Sequence, residues 1–125
     1  MSEILYGYAG QLLRADLGTD SLRMQPITPE RAAKWMGGTG LGARLLFEET
    51  PAGVEWDDPQ SRVILASGPL GGTKVAGTGT FSVVFKGPMT NLAGATQASG
   101  FLGAFLKLSG LDAVVIQGAA PTWSY

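Results

Sequence analysis

The chain has 125 residues, the length of one ordinary domain with a single hydrophobic core, so one domain spanning residues 1–125 is expected. Nine Lys and Arg stand against ten Asp and Glu, which gives no strong field for nucleic acid or an anionic membrane and leaves neither as an expected partner. Cys and His are both absent, which removes disulfides, thiolate nucleophiles, zinc or iron–sulfur ligation and the usual neutral-pH acid/base group, and argues against self-contained catalysis.

From Ile4 to Ile27 the runs "ILYGYA", "QLLRADL" and "LRMQPI" alternate with turn residues and read as strands, with Gly18 to Ser21 closing a hairpin. Thr28 reads as an N-cap, Pro29 as the first helical residue and Glu30 as a favourable first-turn acid, opening "PERAAKWM", which ends at Gly37. A second helix, "LGARLLFEET", carries Leu41, Leu45 and Leu46 on one face and ends before Pro51. After the polar loop "GVEWDDPQS", "RVILASG" is a buried strand. "TFSVVFK" is another, in which Phe81, Val83 and Phe85 alternate with Ser82 and Val84.

Between those strands lies the glycine-rich loop "PLGGTKVAGTG". In "ATQASGFLGAFLKLSG", Ser99 is expected to cap a short helix that buries Phe101, Leu102, Phe105 and Leu106 and stops at Gly110. "DAVVIQG" closes as a buried strand. Strands before, between and after helices, with an opening hairpin, predict a mixed α+β domain. "ASGPLGG" at Ala66 to Gly72 is echoed by "ASGFLGA" at Ala98 to Ala104, a match that chance readily gives in so Gly- and Ala-rich a chain. The N-terminus lacks the basic start and long apolar run of a signal peptide, so a soluble cytoplasmic protein is expected.

Gly38, Gly40 and Ala43 in "GGTGLGARLL" match the spacing of a dinucleotide fingerprint. That motif needs a strand running into the glycines, and here a helix precedes them. Two readings stay open: a helix C-cap at Gly37 with tight helix–helix packing, or an anion site at a helix beginning at Gly40. "GPLGGTKVAGTGT" has Lys74 after Thr73 and so lacks P-loop order. Thr78, Thr80, Thr96, Gln97 and Ser99 supply neutral donors and acceptors beside glycines, suited to a flat polar ligand. The pairs Asp16 and Asp20, Glu48 and Glu49, and Asp57 and Asp58 read as solvated surface. Trp35, Trp56 and Trp123 read as core or edge packing.

In order, "GYAGQLLRADL", "KWMGGTGLGARLLFEE", "VILASGPLGGT", "GTFSVVFKGPMT" and "ASGFLGAFLKLSGLDAVVIQGAA" resemble the start of the aldehyde:ferredoxin oxidoreductase family, from Tyr6 to about Ala120. The resemblance implies the first part of a saddle-like N-terminal domain of mixed β-sheets and short helices. It implies a tungsten or molybdenum ion held by two pyranopterins, in a cytoplasmic enzyme that oxidises aldehydes to carboxylic acids and passes electrons to ferredoxin. The [4Fe–4S] ligands would come from remaining domains or a separate catalytic subunit.

Carried across by motif, the cofactor-binding positions are Thr39, Gly40, Thr80, Phe81, Gln97, Ser99 and Gly100. Gln97 stands where relatives often place an asparagine that helps to bind a magnesium ion bridging the pterin phosphates. Thr39 and Thr80 stand where relatives often have arginine, which removes charge-assisted bonds to phosphate. The resemblance thus implies a cofactor-binding portion that is inactive alone. The alternative is a non-enzymatic binding or assembly module that pairs with itself as a homodimer to cover exposed apolar surface.

Overall fold

The computed structural model describes residues 6–123. Six strands form one mixed sheet in the order β2-β1-β6-β3-β4-β5: β1 (Gln11–Asp16), β2 (Ser21–Pro26), β3 (Val63–Ser67), β4 (Thr80–Lys86), β5 (Ala93–Ser99) and β6 (Ala113–Gln117). β1 and β6 run parallel, and every other neighbouring pair is antiparallel. The expected mixed α+β class is the observed one. The chain passes from β2 to β3 through α1 (Pro29–Trp35) and α2 (Gly38–Glu49), and from β5 to β6 through α3 (Leu102–Leu108).

Local chemistry accounts for the boundaries. Asp16 Oδ1 accepts the N–H groups of Gly18 (2.9 Å) and Thr19 (3.1 Å), and Asp20 takes a left-handed φ of 50°, so the β1–β2 hairpin turns where the polar run interrupts the apolar ones. Thr28 Oγ1 accepts from the Arg31 amide at 3.2 Å, with Pro29 as the first helical residue, as the sequence predicts. The core lies between α1, α2 and one face of the sheet: Leu12, Ile27, Ala32, Leu41, Leu45, Leu46, Ile64, Ala66, Val84, Ala113 and Val115, flanked by Tyr8 and Trp35. α2 approaches closely because Gly42 has no side chain. A Cβ there would lie 2.6 Å from Val84 Cγ2.

Several expectations need correction. Tyr6 to Ala9 form a turn and irregular backbone, not a strand, while Ile4 and Leu5 lie outside the described residues. α2 begins at Gly38, two residues before Gly40. Ala93–Ser99 is strand β5, so Ser99 caps no helix; Phe101 occupies the N-cap position of α3 without a side-chain bond. The apolar spacing was real, but its direction was misjudged. Phe101, Leu102 and Phe105 are exposed, whereas Gly103 and Leu106 face the sheet. Glu49 is no solvated surface acid: it is half-buried and takes the Arg14 guanidinium. Trp123 is fully exposed rather than packed.

α3 lies across one end of the opposite sheet face, where a Cβ on Gly103 would lie 3.4 Å from Phe81 Cβ. The rest of that face presents Leu22, Met24 and Val63 to solvent.

Candidate functional site

Three backbone segments meet at one end of the sheet: the Gly37–Gly38 joint that starts α2, the first residues of β4 and the last residues of β5. The β4–β5 register places Thr80 opposite Ser99 and Ser82 opposite Gln97. Alternation along antiparallel strands turns these four side chains to the face that α2 covers. Thr39, in the first turn of α2, lies above them. Its Oγ1 is 2.9 Å from Ser82 Oγ and accepts from Gln97 Nε2 at 3.3 Å. Thr80 Oγ1 and Ser99 Oγ stand 3.4 Å apart at the rim.

The joint is tight for a steric reason. A Cβ on Gly37, whose φ is 147°, would lie 2.7 Å from Ser67 O, and one on Gly40 would lie 2.6 Å from Trp35 O. Of the two open readings of "GGTGLGARLL", the tight packing is observed, although the C-cap of α1 is Met36 and Gly37 is instead the N-cap of α2. The glycines pack α1, α2 and the end of β3 together, and Gly37 also leaves α2 without a side-chain N-cap. The opening amides of a 12-residue helix thus point toward the Thr39–Gln97 end with their partial positive charge. Gly100 closes the rim, donating its N–H to Gly79 O at 3.1 Å.

Of the residues singled out by sequence, Thr39, Gly40, Thr80, Gln97, Ser99 and Gly100 share this sheet end. Phe81 sits at the same end but on the opposite face of the sheet, against α3. Gln97 donates through Nε2 and so keeps Oε1 as an acceptor. Among the described residues no three His, Cys, Asp or Glu side chains gather as a metal cluster. The hydrogen bonds within the site join neutral groups only, so it offers hydroxyls, one amide and helix-end N–H groups.

Sequence reasoning missed Ser82, which is 2% exposed. A lone hydroxyl on the inward side of the apolar run "FSVVF" was the available signal. Asp112 was missed as well: fully buried, it accepts from the amides of Ala9 (3.0 Å) and Gly10 (2.7 Å) and pairs with the Lys107 ammonium. Lys107 also donates to Gly7 O at 2.6 Å. Burial and the Asp112 carboxylate raise the pKa of the neighbouring Tyr8 phenol. This cluster ties residues 7–10 to the α3–β6 corner, and Asp112 O receives the Ser67 amide at 2.9 Å. The two halves of the "ASG" echo meet here in space. Ser67 and Ser99 end strands that run in the same direction, and a Cβ on Gly103 of the second half would lie 3.4 Å from Ser67 Oγ of the first.

Comparison with known proteins adds to this geometry. The family model described as "Aldehyde ferredoxin oxidoreductase, N-terminal domain" matches residues 12–125. A tungsten-containing aldehyde ferredoxin oxidoreductase of Pyrococcus furiosus is 36% identical over 123 residues, covering 97% of this chain and 20% of the relative. The protein of the same name from Thermococcus kodakarensis is 34% identical with the same coverage. An aliphatic sulfonate oxidoreductase, WOR-like subunit, of Pyrococcus furiosus is 32% identical over 126 residues, again with 97% and 20% coverage. Among solved structures, the active-site complex BamBC of benzoyl coenzyme A reductase with 1,5-dienoyl-CoA superposes with a TM-score of 0.91 at 30% identity, over 94% of this chain and 18% of that one. The chain thus spans about a fifth of the length of the curated relatives it matches.

Proposed function

This chain belongs to the aldehyde ferredoxin oxidoreductase family, matching its N-terminal domain, and we propose that its part is to seat a pterin-held tungsten, or molybdenum, cofactor at the Thr39–Gln97 end of the sheet. The observation that carries the proposal is the hydrogen-bonded trio of Thr39, Ser82 and Gln97, which three separate elements build beside an uncapped helix start. The relatives support this division of labour. Their names differ in substrate, an aldehyde in one and an aliphatic sulfonate in another, so the first fifth that they share answers to a common need rather than to substrate choice.

The donor set fits the polar edge of a pterin. Hydroxyls and an amide match neutral ring nitrogens and carbonyls, and Gly100 and Gly79 let the backbone approach closely. Phosphate charge meets only the α2 amides, since Thr39 and Thr80 carry none. Gln97 Oε1 could supply magnesium with one neutral oxygen, well short of a hard cation's six or more ligands, so phosphates and water would complete that site. Bound, the cofactor supplies two-electron redox chemistry. This chain's residues orient it and exclude water from the face beneath it.

Within a longer protein or a complex, the proposed reaction is oxidation of an aldehyde to a carboxylic acid, with water giving the oxygen, two protons released to solvent and the two electrons passed to ferredoxin. A [4Fe–4S] cluster would be bound by remaining domains or a separate subunit. A cytoplasmic setting and a single domain over residues 1–125 belong to the same proposal. The test is to co-produce this chain with a relative that lacks its first fifth, in a host supplying tungstate and pterin. Bound tungsten and aldehyde-dependent dye reduction without oxygen are expected, and neither should survive Gly100→Trp. Tungsten and activity that do not depend on adding this chain would overturn it. A second reading, a non-enzymatic homodimeric module, is favoured by the exposed Leu22, Met24 and Val63, and a monomer at high concentration in sedimentation would remove it.

A further inference from the structure

β5 is an edge strand, and it lacks the features that normally protect an edge. Ala93–Ser99 contains no charge, no proline and no bulge over seven consecutive pairs with β4. The opposite edge, β2, carries Arg23 and Pro26. The Gly87 amide bonds Leu92 O and the Gly100 amide bonds Gly79 O. Antiparallel alternation therefore turns the N–H and C=O groups of Gly94, Thr96 and Ala98 toward β4 and those of Ala95 and Gln97 outward. These outward groups form a ladder that another backbone can complete.

Beside the start of this edge, on the α2 side, lies a cavity of about 380 Å³ lined by Ala43, Leu46, Phe47, Pro51, Lys86 and Ala93 among others. Its wall is mostly apolar. Lys86 donates to Val54 O and, among the described residues, has no carboxylate partner. An open strand edge next to an apolar pocket is the arrangement by which folded domains take up extended peptides: backbone bonds give affinity, and pockets for alternate side chains give selectivity. Lys86 adds a charge preference.

We infer that the β5 edge and the α2 cavity form a docking groove for an extended polypeptide segment that adds a strand along Ala95 and Gln97, inserts a large apolar side chain beside Phe47 and sets an acidic residue against Lys86. A small molecule would leave the backbone ladder unused. The matched relatives are about five times as long as this chain, so such a segment is available in proteins of this kind. The inference does not depend on the cofactor reading: the cavity lies toward Ala93, and at Gln97, which both use, the groove takes the outward backbone groups while the cofactor seat takes the side chain, which reaches Thr39 on the α2 face.

The test titrates the isotope-labelled 125-residue chain with a blocked heptapeptide of alternating Thr and Val, with a central Leu and an Asp two residues on, so that Leu and Asp share a face. Amide shifts and slowed hydrogen exchange at Ala95 and Gln97 are expected. About tenfold weaker binding is expected when the peptide amides are N-methylated at alternate positions, and again with Ala43→Trp, which fills the cavity. Lys86→Met should weaken the Asp peptide but not its Asn counterpart. Equal binding of the N-methylated peptide overturns the inference, as do shifts that bypass β5. Self-association of the chain through β5, detected by sedimentation, would assign the edge to a second copy and also overturn it.

Discussion

Gln97 Nε2 reaches Thr39 Oγ1 across 3.3 Å, joining residues 58 positions apart. Because Thr39 also meets the buried Ser82 hydroxyl at 2.9 Å, one threonine serves both the interior and the rim. α2 is thereby pinned to the ends of β4 and β5, and the proposed cofactor surface owes its shape to neutral hydrogen bonds.

Thr39→Val should therefore cost stability as well as any binding. It leaves Ser82 Oγ buried without its partner, a loss of about 1–3 kcal/mol, or roughly 4 °C in Tm per kcal/mol for a chain of this size. Adding Ser82→Ala should recover part of that loss by removing the orphaned hydroxyl. Urea melts of the two variants provide the check, and an unchanged midpoint for Thr39→Val would contradict the network.

Gly42→Ala tests the α2 contact with the sheet. Its Cβ would sit 2.6 Å from Val84 Cγ2, and overpacking of that kind costs about 1–3 kcal/mol, against a helix-propensity gain of about 1 kcal/mol for Ala over Gly. Net destabilisation is expected in thermal melts. The double variant Gly42→Ala with Val84→Ala should lose less than the sum of the single variants, since the smaller side chain removes the nearest clash.

How much was legible follows the same physics. α1 was readable because Thr28 and Pro29 are local signals, and β3, β4 and β6 because their Val, Ile and Leu runs suit strands alone. β5 was not, since "AGATQAS" owes its extension to the β4 ladder rather than to propensity. The burial of α3 was misread because Phe101 and Phe105 advertise a core contact while the sheet admits only Gly103 and Leu106 on that side. For the candidate site, the resemblance supplied the positions. Only the fold could show that Thr39 meets Ser82 and Gln97, or that Phe81 points away from them.

Asp112 should be the costliest single loss. Asp112→Ala strips Lys107 of its counter-charge, and at 10% exposure the ammonium has little water to turn to; breaking such a pair costs about 3–5 kcal/mol. Lys107→Met should cost less, because Asp112 keeps the Ala9 and Gly10 amides. Denaturant midpoints would rank the two. Brief proteolysis should cut near Tyr8 first in Asp112→Ala, where residues 7–10 lose their anchor. Equal midpoints would deny Asp112 this role.

Acid stability follows from two carboxylates. The Asp16 pKa is lowered by the Gln117 side chain first and then by the Thr19 amide. For Glu48, burial pushes upward, but bonds to Arg44 and Arg31 prevail and lower its pKa. With folded pKa values below their ordinary values of 3.8 and 4.5, each group contributes stability that is full above its ordinary value. That contribution is lost as pH falls through the folded value. Melts between about pH 5 and 2 should show this decline. Gln117→Leu should flatten the Asp16 part while leaving stability at pH 7 nearly as sensitive to salt as before, and an unchanged acid limb would show that Asp16 takes no part.

Thr80→Arg probes the phosphate question at the proposed cofactor seat. Thr80 begins β4 opposite Ser99, within hydroxyl reach of it at 3.4 Å, and stands where the family resemblance places an arginine. A guanidinium there adds a charge-assisted bond to any phosphate held against the α2 amides, and such bonds are roughly twice as strong as neutral ones. In the assembly with the remaining polypeptide of a relative, pterin retained through gel filtration should rise at low salt. Because a new ion pair is screened as the Debye length falls from about 10 Å at 0.1 M to about 3 Å at 1 M, the gain should fade at high salt, while Thr80→Gln shows neither effect. If Thr80→Arg changes neither retention nor its salt dependence, the phosphates do not lie at this end of the sheet, and the neutral trio of Thr39, Ser82 and Gln97 is a packing device alone.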